Sequence, residues 1–271
     1  MLGRTLLPRL GRYDCLPVDI EDGDICRVDD VDRLVRASAP DVVIHCAAMT
    51  DVDGCEERTD QAWSVNALGA ANVAIACYRH GARLIAVSTD YVFSGQLDRP
   101  YHEFDATGPA TVYGVTKLAG EIAIRSHCPD HLIVRTAWLY GQGGPSFVHT
   151  MLKLGKMDGP PVTVVDDQIG NPTSADALSV GLLNLLETPI AGTVHLTCQG
   201  EATWFDFARE IFQLAALPRP LRPCKTSQFP RPAKRPANSR LENRLFRLHG
   251  LPTMPTWQQA LKDFLKDHPD G

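Results

Sequence analysis

The stretch Asp41-Val42-Val43-Ile44-His45-Cys46-Ala47 is nearly continuous in apolar residues and β-branched through its centre. A run of that length and texture fits a strand of a parallel sheet covered on both faces. Pro40 marks the turn that enters it. Outward from this strand, the runs Tyr13 to Asp19, Arg83 to Ser88 and His131 to Thr136 repeat the pattern. Helical stretches alternate with them at Val28 to Ser38, Asp60 to His80 and Thr111 to Ser126. The alternation predicts an α/β fold, a doubly wound parallel sheet, over residues 1–145. Beyond that point the strands shorten (Val162 to Val165, Gly192 to Leu196) and helices are expected at Ser174 to Glu187, Trp204 to Leu214 and Thr256 to Lys266. Residues 146–271 therefore read mainly as a smaller α+β lobe for a substrate, with some later segments lent to the first domain.

The chain has 271 residues, 44% of them apolar and 22% charged, with a net charge of -5. This is the make-up of an ordinary globular protein of one large or two joined domains. The apolar run Val42 to Met49 is less than half of the roughly 20 residues a membrane span needs, and no signal core opens the chain, so a cytoplasmic protein is expected. The cysteines at 15, 26, 46, 55, 77, 128, 198 and 224 follow no C-x-x-C or zinc spacing. No metal site is expected. Between Arg219 and Arg247 stand nine Lys or Arg and one acid, Glu242, so the negative charge lies elsewhere. Without interleaved aromatics or a known module this segment does not read as a nucleic-acid surface. It reads as a solvated loop or a site for a compact anion such as a diphosphate.

Two clusters carry chemistry. In Tyr113-Gly114-Val115-Thr116-Lys117 the i, i+4 spacing brings a phenol and an ammonium to one helix face, an arrangement suited to proton donation. A cation nearby lowers the cost of the phenolate left behind. The strand from Arg83 ends in Ser88-Thr89-Asp90, with hydroxyls at the carboxyl edge where such sheets bind ligands. Ser88 or Thr89 there suits a carbonyl oxygen that gains charge during hydride arrival, although the three residues equally suit a turn or cap. Ala47-Ala48-Met49-Thr50 ends another strand with small residues past which a flat cofactor fits.

The motifs H-C-A-A-M-T-D-V-D (45–53), S-T-D-Y-V-F-S-G (88–95), V-Y-G-V-T-K-L-A-G-E (112–121), R-T-A-W-L-Y-G (135–141), D-D-Q-I-G-N-P-T (166–173) and R-P-A-N-S-R-L (235–241) run in order along the chain. It resembles the extended short-chain dehydrogenase/reductases, which have a Rossmann-type sheet, and among them the dTDP-4-dehydrorhamnose reductase family. The resemblance implies reduction of the C4 ketone of dTDP-4-dehydro-L-rhamnose by NADPH or NADH. It implies Tyr113 as proton donor, Lys117 on the nicotinamide ribose and tuning Tyr113, and Thr89 completing the triad. Asp90 is expected to hold the substrate and Trp138 to face the deoxysugar, with Arg235 near its diphosphate. Gly3, Asp19, Asp24, Ile25, Ala48, Met49, Thr50 and Ser88 are the further residues expected along the cofactor, Asp19 at a ribose. The partner is a small nucleotide sugar, neither nucleic acid nor membrane, and a homodimer is compatible with the resemblance.

The opening Met1-Leu2-Gly3-Arg4-Thr5-Leu6-Leu7 departs from the family, matching only the last glycine of G-x-x-G-x-x-G. The expectation is a sheet lacking its first strand, with weak dinucleotide binding by the chain as it stands. Two other functions stay open: a regulatory protein like the β subunit of methionine adenosyltransferase, and a reductase or epimerase of another nucleotide sugar. Trp138 and the complete Thr89, Tyr113 and Lys117 set favour the ketoreductase.

Overall fold

A computed structural model describes residues 1–268. Its central sheet has four parallel strands, β1 (Val42–His45), β2 (Arg83–Thr89), β3 (His131–Thr136) and β4 (Gly192–His195), lying side by side in chain order. In register, His45 stands opposite Ala86, Ser88 opposite Arg135 and Val134 opposite Val194. Parallel neighbours require long crossovers, and the crossovers here are helical. The successive side chains of β2 divide between two cores, as the period of two demands. Leu84 and Ala86 join Val31, Val35, Val73, Cys77 and Ile124 from helices Val28–Ser38, Ala70–His80 and Val112–His127. Ile85 points the other way, with Val134 and Val194, into a core built on Leu178, Leu182 and Leu185 of helix Ala175–Leu186. The same core takes in Leu2 and Leu6 of the first helix and Phe264 of the last, so it spans both halves of the chain.

Three expectations need correction. Tyr13 to Asp19 is not a strand. An extended segment becomes one only by pairing its backbone groups, and no described strand lies beside it; Leu16 and Val18 stay exposed. β1 accordingly bounds the sheet and is half-buried for most of its length, whereas every residue of β3 is buried between two neighbours. Second, Gly192–His195 belongs to the central sheet and not to the smaller lobe. Third, Asp60 to His80 is not one regular helix: a π turn, Ser64–Gly69, separates Thr59–Trp63 from Ala70–His80.

The smaller lobe consists of short pairs. Val162–Val165 runs parallel to Leu221–Cys224, Leu139–Tyr140 to Thr173–Ser174, and Ile169–Gly170 antiparallel to Ala202–Thr203, beside helices Phe147–Lys156 and Trp204–Leu214. The chain then returns as a strap, residues 231–241, across the carboxyl side of the sheet. Asn238 fixes it by donating to the carbonyls of Leu97 and Arg99, and the Leu241 N–H donates to Asn171 Oδ1. Among the described residues no helix is long and apolar enough to cross a membrane, and no three His, Cys, Asp or Glu side chains gather as a metal site.

Candidate active site

β2 ends where its last residues turn out of the sheet, and helix Val112–His127 begins beside that end. The helix start is held twice: Thr111 caps it by accepting the Gly114 N–H at 3.0 Å, and Glu56 accepts the Val112 N–H at 2.9 Å. Gly114 is required because any Cβ there would overlap the carbonyl oxygen of Tyr91. This contact seats Tyr113 over the strand end. Its phenol lies beside the Thr89 hydroxyl, which accepts the Tyr91 N–H at 3.2 Å and donates to Asp90 Oδ1 at 2.9 Å. The single donor of the threonine and one of its acceptor sites are thus engaged.

Tyr113 and Asp90 are both buried. Burial pushes the phenol above its ordinary pKa, with the Thr89 hydroxyl acting against it, so the proton stays on Tyr113 until an oxygen of greater basicity arrives. The Asp90 carboxyl is raised to about 7 by burial, and the Thr89 and Ser239 hydroxyls oppose the rise. Asp90 Oδ2 is buried and meets no partner in the chain.

Lys117 lies one turn along from Tyr113, as the spacing predicted, but its ammonium donates to the Val87 carbonyl at 2.8 Å and not to the phenol. The long side chain runs past Tyr113 to the strand backbone. Burial lowers it to about 8, with the Glu121 charge pulling it back up. Ser88 also departs from expectation. Adjacent strand residues face opposite sides, so Ser88 turns away from Thr89 and donates to Glu121 Oε1 at 2.6 Å. Glu121 is clamped by Arg135 through two bonds of 2.8 and 2.6 Å, and all three side chains are buried.

Trp138 is less open than expected. Its indole stacks on Trp204 with ring centres 3.5 Å apart and donates to Ser239 Oγ at 2.9 Å. Ser239 in turn donates to the Ile169 carbonyl at 3.3 Å, so the indole is tied to residues 169 and 239 while one of its faces is covered. Trp138 takes a positive φ of 47°, a strained state for a bulky residue that clusters at functional sites. Arg235 donates to Asp53 Oδ2 at 2.8 Å, and its charge reaches Tyr91, whose ring meets Tyr113 edge-on at 5.4 Å.

Ala48, Met49 and Thr50 form a half-open ledge past β1. Asn66, carried inward on the π turn, grips that ledge: it accepts the Met49 N–H at 2.8 Å and donates to the Met49 carbonyl at 3.1 Å and to Thr116 Oγ1 at 3.2 Å. Asp24 accepts the Cys26 N–H, and Ile25 packs on Gly69 while its carbonyl takes the Asn72 amide. Asp19 sits in an exposed turn bonded to the Ile20 N–H, not at a strand end. Gly3 lies in helix Leu2–Leu6, where a Cβ would meet nothing within 4 Å. Sequence reasoning missed Asn66, Asp53, Tyr91, Glu121 and Ser239 as contributors. All but Asn66 stand in or next to the quoted motifs, which was the available signal; a π turn leaves no periodicity by which to find Asn66.

A carboxyl-edge Thr–Tyr pair with a buried lysine one turn away, on a parallel sheet with helices on both faces, defines an extended short-chain dehydrogenase/reductase. The fold is shared with the UDP-glucose 4-epimerase of Thermotoga maritima, at a TM-score of 0.81 and 15% identity. A model of the RmlD substrate binding domain family matches residues 1–269. The dTDP-4-dehydrorhamnose reductase of Escherichia coli K12 is 38% identical over 98% of this chain and 93% of its own, and that of Mycobacterium tuberculosis H37Rv is 44% identical over 93% and 84%. A solved dTDP-4-dehydrorhamnose reductase from Bacillus anthracis, in complex with NADP, superposes with a TM-score of 0.95 at 40% identity over 98% of this chain and 95% of that one. The chain belongs to the dTDP-4-dehydrorhamnose reductase family.

Proposed function

We propose that the protein reduces the C4 ketone of dTDP-4-dehydro-L-rhamnose to dTDP-L-rhamnose with NADPH or NADH, in the cytoplasm. The observation that carries this reading is the buried Tyr113 phenol set beside the Thr89 hydroxyl, itself bonded to Asp90, at the carboxyl edge of β2. The nicotinamide supplies a hydride to C4 when bound. As charge grows on the C4 oxygen, Tyr113 gives it the phenolic proton, and the Thr89 hydroxyl, rotated from Asp90 Oδ1, donates to it. Asp90 Oδ2, buried without a partner, suits a sugar hydroxyl.

The cofactor fits the residues present. The Ala48–Thr50 ledge is open, Asn66 holds its backbone, and Lys117 spends one of its three N–H donors on Val87, leaving donors for ribose hydroxyls. Asp24 and Ile25 would hold the adenine end. Trp138, backed by Trp204, offers the methyl sugar a rigid apolar wall. A homodimer is compatible with this reading.

The test is oxidation of NADPH and of NADH by the purified protein with dTDP-4-dehydrorhamnose made in situ, beside a UDP-4-keto sugar. Oxidation with the dTDP sugar well above the control is expected. No turnover, or equal turnover with the UDP sugar, would overturn the substrate assignment.

A further inference from the structure

We propose that Asp53 is a positioning residue for the substrate's diphosphate: it holds Arg235 and the strap backbone so that the cations of residues 231–235 face the nucleotide sugar. The inference rests on the function proposed above and adds a residue to it. Asp53 stands in the first turn of helix Val52–Glu57, on the cofactor side of the molecule. Its Oδ1 accepts the N–H of buried Ala233 at 3.1 Å and its Oδ2 accepts Arg235 at 2.8 Å, while Arg231 lies 3.9 Å away. Arg235 turns a second donor onto the Ala233 carbonyl at 3.0 Å. One carboxylate thereby sets both the path of the strap and the direction of the guanidinium fork.

Two of the five N–H donors of Arg235 are engaged in this way, so the fork keeps donors for an anion. Arg231 and Arg235 share one carboxylate and the neighbouring Lys234 pairs with none among the described residues, so three cations against one acid leave two positive charges, which matches a diphosphate. The place is right, since Pro236, next to Arg235, lies against Gly95, six residues on from Thr89, and the Asn238 N–H donates to the Gly95 carbonyl at 3.3 Å. A partly exposed ion pair adds little to stability, so the Asp53–Arg235 pair is better accounted for by the direction it gives the guanidinium.

The direction of the effect separates positioning from simple charge. Asp53→Ala removes a negative charge from an anion site, and electrostatics alone would tighten dTDP binding. Positioning demands the reverse: dTDP bound about 10-fold more weakly by titration calorimetry, the loss of one charge-assisted bond's worth of order. The KM of the nucleotide sugar should rise by a similar factor, with kcat and the NADPH Kd much less affected, and Asp53→Glu should recover part of the loss. If Asp53→Ala does not fold, Asp53→Asn serves, since its amide still accepts the Ala233 N–H but turns no charge to Arg235; the same loss is expected. Unchanged or tighter dTDP binding in the variant that folds, or an equal loss of NADPH affinity, overturns the proposal alone. A wild-type protein that binds no dTDP overturns it together with the function.

Discussion

Tyr113 carries the proton that the Thr89 cluster aims at an incoming oxygen, and its hydroxyl contributes nothing else to packing that a phenyl ring would not. Tyr113→Phe should therefore lower turnover by about 10² to 10⁴-fold, the usual share of a general acid, with the melting temperature almost unchanged. Steady-state rates together with thermal unfolding check both halves of that expectation. Trp138 differs because it has two roles. Its stack on Trp204 and its bond to Ser239 fix the wall of the site. Trp138→Ala should raise the KM of the sugar nucleotide far more than that of the cofactor and lower the melting temperature as well. A cofactor KM that rises equally would make the indole a core group only.

Helix Val112–His127 joins the chemistry to the sheet at both ends. At its start, Gly114→Ala should push the first turn off the Tyr91 carbonyl, costing about 1–3 kcal/mol as overpacking does and reducing kcat by displacing Tyr113. Further along, Glu121 binds the helix to β2 and β3 through Ser88 and Arg135. Glu121→Ala leaves the Arg135 charge buried without its partner, so a loss of about 3–5 kcal/mol is expected in denaturant unfolding. The same contact gives a pH dependence. Burial works to raise the Glu121 carboxyl, but Arg135, Ser88 and Arg125 outweigh it and hold it below its ordinary value of 4.5. Its stabilisation is complete above that value and is lost as pH falls through the lower value in the fold. Unfolding midpoints measured down an acid series should fall more steeply in the wild type than in Glu121→Ala.

At the scale of the molecule, the strap of residues 231–241 closes the carboxyl side of the sheet against the smaller lobe. Asn238 is its central tie, donating to two carbonyls and accepting from the Arg240 backbone and side chain. Asn238 is buried but the Leu97 and Arg99 carbonyls belong to exposed residues, so Asn238→Ala should cost about 0.5–1.5 kcal/mol for each bond lost. Thermal unfolding should shift down, and limited proteolysis should cut near residues 229–235 sooner than in the wild type.

The sequence by itself determined the elements whose signal is local. β3 and helices Val28–Ser38 and Trp204–Leu214 have the predicted limits, because their apolar periodicity records one buried face or two. It also named the Thr89, Asp90, Tyr113 and Lys117 cluster, since a helical spacing and a strand end are readable from neighbours in the chain. Contacts between distant segments were decided only in three dimensions. Tyr13 to Asp19 has strand-like residues but no partner strand among the described residues, and pairing is a property of two segments, not one. Gly192–His195 looked like part of the second lobe until its register with β3 assigned it to the first. Lys117 shares the helix face of Tyr113 as its spacing indicated, but its bond to Val87 and the turn of Ser88 to Glu121 follow from side-chain reach and strand alternation, which act across space. Asn66 reaches Met49 through a π turn, and Asp53 meets Arg235 across 182 residues of sequence. Their partners are set by how the chain packs, a choice that no window of neighbouring residues contains.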